Sequence, residues 1–380
     1  IDALTEVIKS GKWGCLHGTK VKQFEKAFAD FHNAKFGVCL NSGTTGLRIA
    51  LLAVGVGPGD EVLVPGYTFI ASATAVIETG ATPIFVDIDS ETYNIDPERI
   101  EASITPRTKA IMPVHFAGRP VDMDRILEIS QKHHLKVVED AAQAWGSEWN
   151  GKKVGTLGNA GVFSFQSSKN ITCGEGGIIL TNDEEVAKLC RSHSNCGRLE
   201  GGIWYEHYYY GGNFRMTEFQ GAVLLVQLAR YPELKHKREE NVAFLNQHLA
   251  RIEGVEPLKR DPRITSHSCH IYIFRYKKEY FNDKPKARFI EALKKEGIPA
   301  SAGYSIPLYT QPVFKKRAFG PLGKPIEMGV DYTTYHLPQV ERACYEEAIW
   351  FTQNVLLGSQ EDMKDIVRAI EKIRECKNEL

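Results

Sequence analysis

The sequence predicts an α/β fold: a large domain on a mostly parallel mixed sheet with helices on both faces, then a smaller C-terminal α+β domain. Three observations predict it. Strand-like and helix-like segments alternate through the first half of the chain. The strand segments are nearly continuous apolar runs, the pattern of strands covered on both faces. From about residue 250 the alternation gives way to an isolated strand followed mainly by helices.

The elements follow in order. The opening IDALTEVIKSGKW reads as an amphipathic helix and not as a signal peptide, and its abrupt start predicts a few missing leading residues. VKQFEKAFADFHN is a helix ending near Asn33, and KFGVCL is a strand. NSGTTGLRIALLAVGV begins with small residues and continues with a helical apolar period. EVLVPG, TPIFVDID, KAIMPVHF and LKVVED are strands; TFIASATAVIETG, DPERIEASI and a segment from Asp122 to about His134 are the intervening helices. GVFSF and GGIILTND are strands, and DEEVAKLCRSH is a helix. GRLEGGIWYEHYYYGGN is a glycine- and tyrosine-rich loop, and the long helical stretch from Met216 is interrupted at Pro232. Beyond it, HIYIFRY reads as an alternating strand, while KARFIEALKKEG, EEAIWFTQNVLL and EDMKDIVRAIEKIRECK read as helices. The division falls within Glu240–Arg260, giving domains of residues 1–245 and 246–380.

Bulk composition excludes several classes. The 380 residues are 43% hydrophobic and 25% charged, as in ordinary globular proteins. Lys plus Arg and Asp plus Glu are 47 each, so no basic excess marks a nucleic-acid or anionic-membrane partner. No apolar run approaches the roughly 18 residues of a spanning helix. Eight cysteines lack any CxxC spacing, which predicts reduced thiols in the cytoplasm.

Open α/β sheets bind ligands beyond the carboxyl ends of their strands. Four such segments carry chemistry here. CLNSGTTGL sets hydroxyls and backbone N–H groups at a helix start, which suits a phosphate or carboxylate, or is a simple cap. It is not a Walker loop, since no GK[ST] follows. In PGYTFIA, Phe69 either covers a planar ligand or packs in the core. LKVVED ends in adjacent Glu139 and Asp140. A carboxylate there caps the next helix or pairs with a protonated ring nitrogen. Metal binding is not predicted: there is no HExxH, and His115, His133 and His134 have no partner spacing. In FSFQSSKNITCGEGG, Lys169 is either a hairpin charge or a desolvated amine suited to a Schiff base. Together the four suit one ligand, a flat heteroaromatic ring with a phosphate arm and an aldehyde, as in pyridoxal phosphate (PLP).

From GKWGCLHGTKVKQFEKAFA through LNSGTTGL, PGYTF, VVEDAAQAWG and FSFQSSKNITCGEGG to GGNFRMTEFQGAVLLVQL, the chain resembles the DegT/DnrJ/EryC1/StrS aminotransferases. The resemblance implies a fold-type I PLP-dependent transferase whose large domain, residues 1–245, binds the cofactor. It implies Lys169 as the residue bonded to the cofactor aldehyde and Asp140 as the partner of the ring nitrogen. Gln143 falls near the cofactor's 3-hydroxyl, and Phe69 on its ring face. Gly43, Thr44 and Ser164 fall at its phosphate. Asn213 is expected to reach the phosphate of the neighbouring subunit in a homodimer, with the loop Gly201–Gly212 near the interface. His193 and Arg198, in RSHSNCGR, are expected at the substrate entrance, although a serine follows the histidine here. His270, Tyr304 and Tyr309 are expected to supply acceptor contacts.

The resemblance implies amino transfer from L-glutamate or L-glutamine to a keto-sugar, nucleotide-linked, by a ping-pong cycle. A keto-cyclitol of the scyllo-inosose type and an aminohydroxybenzoate synthase-like reaction are the alternatives. Relatives that dehydrate a sugar carry histidine at the position of Lys169, which argues against dehydration. A non-catalytic PLP-binding regulator would be expected to lack Lys169 or Asp140, and both are present.

Overall fold

Apolar runs of four or five residues rich in Val, Ile and Leu are too short to bury themselves as helices, and here they pair. The computed structural model describes all 380 residues. Strands β1 (Phe36–Leu40), β2 (Glu61–Pro65), β3 (Thr82–Val86), β4 (Thr108–Ile111) and β5 (Lys136–Asp140) are followed by the short β6 (Glu148–Trp149) and β7 (Lys152–Lys153). Then come β8 (Ala160–Ser164), β9 (Gly177–Thr181), β10 (Val255–Pro257), β11 (Ile264–Ser266), β12 (Ile271–Tyr276) and β13 (Ala348–Thr352). The main sheet has seven strands in the order β1-β9-β8-β5-β4-β2-β3. Only β9 runs against the rest.

Consecutive strand residues enter two different cores, which explains why the strands read as unbroken apolar runs. Leu63, Val137, Ile178 and Leu180 enter one core. Val62, Val64, Val138 and Ile179 enter the other. Among the helices are α1 (Asp2–Ser10), α2 (Lys20–His32), α3 (Gly43–Ala53), α4 (Ala71–Ile77), α5 (Pro97–Ile100), α6 (Met123–Lys132), α7 (Glu184–Ser194), α8 (Glu218–Leu249) and α9 (Lys286–Lys295). The first core is closed by Phe24 and Phe28 of α2, Ile126 of α6 and Leu224 of α8. The second is closed by Leu47 and Leu51 of α3 and Val186 and Cys190 of α7.

A second sheet, β10-β12-β13, is antiparallel, and a third joins β11, β6 and β7. Leu245 and Leu249 at the end of α8 enter the core of the second sheet. All eight cysteines are free. No helix is long and apolar enough to cross a membrane.

Two local expectations are corrected. EEAIWFTQNVLL contains a strand, not a helix: β13 pairs with β12 from Ile271↔Thr352 to Arg275↔Ala348. Ile349 and Phe351 enter the second sheet's core, and Ala348 and Trp350 enter an aromatic core beside it. Its period is therefore two, hidden because both faces are apolar. HIYIFRY is the alternating strand expected, and its residues alternate between the same two cores. Pro232 does not interrupt α8. An interior proline costs about 3 kcal/mol, and tertiary ties on both sides offset it. A capping box joins Thr217 and Gln220 at the start. Tyr231 donates to the Trp145 carbonyl at 2.8 Å, and Asn241 donates to the Leu356 carbonyl at 2.9 Å.

Candidate active site

A cavity of about 820 Å³ opens beyond the carboxyl ends of β1, β2, β5 and β8, with the β12–β13 sheet contributing its far wall. Gly43, Thr44, Phe69, Asp140, Gln143, Ser164, Lys169, His270 and Tyr304 all line it.

The β1 end supplies an anion cradle. Ser42 caps α3 by accepting from the Thr45 N–H at 3.1 Å. The first N–H groups of a helix have no intrahelical acceptors, so those of Gly43 and Thr44 stay available. Gly43 faces Ser164 at the end of β8, and a Cβ on Gly43 would lie 2.9 Å from the Ser164 Cβ. The glycine thus keeps open the space between two sets of donors.

The β5 end separates its two carboxylates by the strand's alternation. Glu139 is fully buried and accepts from Gly155 N–H at 2.6 Å, from Leu157 and Gly158 N–H at 2.7 Å, and contacts His115 Nε2 at 2.9 Å. It is saturated and ties the β5–β8 connection. Asp140 faces the cavity. Its Oδ2 accepts from Ser72 Oγ at 2.7 Å and its Oδ1 from Ala142 N–H at 3.1 Å. Burial pushes the Asp140 carboxyl up, while those two donors and the Lys169 and His115 charges oppose the shift.

Lys169 stands on the β8–β9 connection, its N–H bonded to the Gln166 carbonyl at 2.9 Å. Burial pushes its ammonium down to about 8, and only the Asp140 charge opposes that. Gln143 Oε1 accepts from Ala117 N–H at 2.7 Å, fixing the side chain. Phe69 is 56% exposed at the cavity wall, so it is not a core ring. His270 is buried, its Nδ1 2.8 Å from Asn170 Oδ1. Asn170 Nδ2 donates to the Ser268 carbonyl, which orients the amide and makes His270 Nδ1 the donor.

Four expected residues lie outside this cavity. Tyr309 is 1% exposed in the aromatic core, and its hydroxyl donates to Glu341 at 2.6 Å. His193 Nδ1 meets the Tyr210 carbonyl at 2.8 Å, and Arg198 lies over the Trp204 ring. Asn213 is exposed and bridges Asn195. Sequence reasoning missed Ser72, whose one signal is a hydroxyl on the buried face of an apolar helix. It also missed Thr352, the last residue of β13, and Gln353 and Asn354 just past it, which line the cavity.

The model of the DegT/DnrJ/EryC1/StrS aminotransferase family matches residues 1–348. The chain belongs to this family. Like the family's other aminotransferases it is PLP-dependent, and its fold is that of the fold-type I enzymes. It is 36% identical to the L-glutamine:2-deoxy-scyllo-inosose aminotransferase of Streptoalloteichus tenebrarius, over 100% of this chain and 93% of that one. It is 48% identical to the GDP-perosamine synthase of Caulobacter vibrioides, over 63% of this chain and 64% of that one. Among solved structures, 3-amino-5-hydroxybenzoic acid synthase matches with a TM-score of 0.88 at 35% identity, covering 98% of this chain and 94% of that one. The ntda protein of Bacillus subtilis, solved with bound PMP, matches with a TM-score of 0.85 at 28% identity, covering 98% and 81%.

The residues present fit this family's cofactor: the Gly43–Ser164 cradle suits its phosphate, the Asp140 carboxylate stands at the end of β5, and the Lys169 amine stands on the β8–β9 connection. Two outcomes are expected. Gly43→Ala drives a methyl group into Ser164, an overpacking worth about 1–3 kcal/mol. PLP affinity, measured by fluorescence titration, should fall about tenfold or more, and an unchanged Kd removes Gly43 from the cradle. The second concerns pH. Only the free amine of a lysine attacks an aldehyde, and the folded pKa of Lys169, about 8, lies below the ordinary 10.5. The ammonium therefore dominates below pH 8, and the free amine dominates above it. The rate at which cofactor-free protein develops PLP absorbance should rise through pH 8 and level off. A rate still climbing tenfold per unit between pH 9 and 10 rejects the lowered pKa.

Proposed function

We propose that this enzyme moves an amino group from L-glutamate or L-glutamine to a nucleotide-linked keto-sugar in two half-reactions. The reading is carried by the convergence, in one cavity, of the Gly43–Ser164 cradle, the buried Asp140 carboxylate and the desolvated Lys169 amine. Bound there, PLP supplies a carrier for the amino group and a ring that withdraws electron density from the carbon losing its proton. Gly43, Thr44 and Ser164 would hold its phosphate, Phe69 would cover a ring face, Gln143 would meet its 3-hydroxyl, and Asp140 would keep its ring nitrogen protonated. Lys169 Nζ would take the proton from the donor α-carbon and, in the second half-reaction, deliver one to the former ketone carbon.

A keto-cyclitol is the second reading, supported by a full-length relative that acts on a scyllo-inosose. The sugar reading has the higher identity in its favour, over a shorter stretch. The pyridoxamine form of the enzyme should be mixed with a panel of ketosugars and ketocyclitols and followed by its spectrum. Conversion by a nucleotide-linked ketosugar alone establishes the first reading, and conversion by a scyllo-inosose alone replaces it with the second. Inertness to every ketone in both classes sinks both readings.

The proposed assembly is a homodimer in which Asn213 serves the neighbouring active site. Asn213 lies outside its own cavity, and its loop exposes Trp204 and Tyr210 at 75% and 86%. A solution mass equal to one 42.6 kDa chain would refute it. The free thiols support placement in the cytoplasm; recovery of the native protein from the secreted fraction would overturn that placement.

A further inference from the structure

Arg238 is a buried cation with no carboxylate beside it. It stands in the second half of α8 and is 2% exposed. Its Nε donates to the Gln353 carbonyl at 3.2 Å, its Nη2 donates to Gln353 Oε1, and its Nη1 is buried without a partner. The ionisable groups that act on it are Tyr231 and Cys269, both neutral at ordinary pH. A guanidinium taken out of water is costly unless an anion compensates it. Gln353 lines the active-site cavity together with Thr352, Asn354 and His270. After burial, the Lys169 and Arg238 charges are what keep the His270 ring neutral, so both cations are felt at one wall.

We propose that Arg238, acting through Gln353, makes this end of the cavity the binding site for a carboxylate of the amino donor. Arg238 occupies the Gln353 carbonyl and side-chain oxygens, which leaves the Gln353 Nε2 hydrogens to donate to an anion. Arg238 is a positioning residue and the source of positive potential, and Gln353 is the group that touches the donor. The keto acceptor carries no such carboxylate at its reacting end, so the contact belongs to one half-reaction. The inference rests on the reading that the donor is an amino acid.

Two variants of the PLP-loaded enzyme test it, with glutarate as the probe because it cannot transaminate. Arg238→Met removes the charge. Gln353→Glu keeps the link to Arg238 and cancels the charge, so a merely structural role for Arg238 survives it. Glutarate binding, measured by calorimetry, should weaken at least about tenfold in both variants, within the range for truncating or neutralising one partner of a buried charge contact. The melting temperature of the Gln353→Glu enzyme should not fall. Glutarate that fails to bind the wild-type enzyme, or that binds the Gln353→Glu enzyme within twofold of wild type, overturns the proposal. Because glutarate binding is read directly, failure of glutamate and glutamine to convert the wild-type enzyme would overturn the donor reading alone.

Discussion

Lys169→Ala should leave a folded protein that develops no visible absorbance band with PLP and turns over more than about 10⁴-fold slower. The size follows from the two roles assigned to one amine. General acid–base catalysis alone contributes about 10²–10⁴-fold, and the covalent attachment that precedes it would be lost as well. Fold loss does not explain such a result. Lys169 Nζ is tied to no carboxylate, and the Asp140 charge acts on it only through space. Its lowered pKa means that below pH 8 the folded state holds an ammonium that water would hold better, so removing it should leave the melting temperature unchanged or slightly raised. PLP should still bind, more weakly, because the Gly43–Ser164 cradle is built from the start of α3 and the end of β8 and does not use the Lys169 side chain. Persistence of the visible band in this variant would give the aldehyde to a different amine.

The residues that frame this chemistry are legible in the sequence because each stands at a strand end whose pattern is local. SGTTG opens a helix, VVED closes an apolar run, and SSK interrupts a hairpin. What local pattern could not decide was which carboxylate of Glu139 and Asp140 meets a ligand. Folding decides it by spending Glu139 on the Gly155, Leu157 and Gly158 N–H groups, 16 to 19 residues away in sequence. The far wall was illegible for a different reason. β13 pairs with β12 across some 80 residues of chain, and both of its faces meet apolar cores, so nothing polar marks its period. Reading that segment as a helix concealed that its end delivers Thr352, Gln353 and Asn354 to the cavity. Tyr309 shows the converse: an aromatic in a suggestive stretch, held away from the site by a hydrogen bond to Glu341 that no sequence spacing announces.

Asp140→Asn should cut turnover by about 10³-fold while leaving the fold and the visible band in place. The substitution is nearly isosteric. Its amide oxygen still accepts from the Ala142 N–H, and Ser72, held by Thr68 Oγ1 at 3.0 Å, can rotate its hydroxyl to accept from the new amide nitrogen. What disappears is a negative charge in a desolvated pocket. A carboxylate keeps a proton on a pyridine nitrogen, whereas a neutral amide donates hydrogen there or leaves the nitrogen free. Removing one such electrostatic contact typically costs 10²–10³-fold, and the upper end is expected because burial strengthens it. Ser72→Ala separates charge from geometry. It deletes one of the two donors that oppose the burial-driven rise of the Asp140 pKa, so the carboxylate stays but titrates higher. Its activity should be nearly normal at alkaline pH and decline on the acid side at a higher pH than in the wild-type enzyme, whereas the Asp140→Asn enzyme should be slow at every pH. Near-normal kcat for Asp140→Asn would assign the ring nitrogen to another group; with Glu139 saturated, Glu175 is the other carboxylate that lines the cavity.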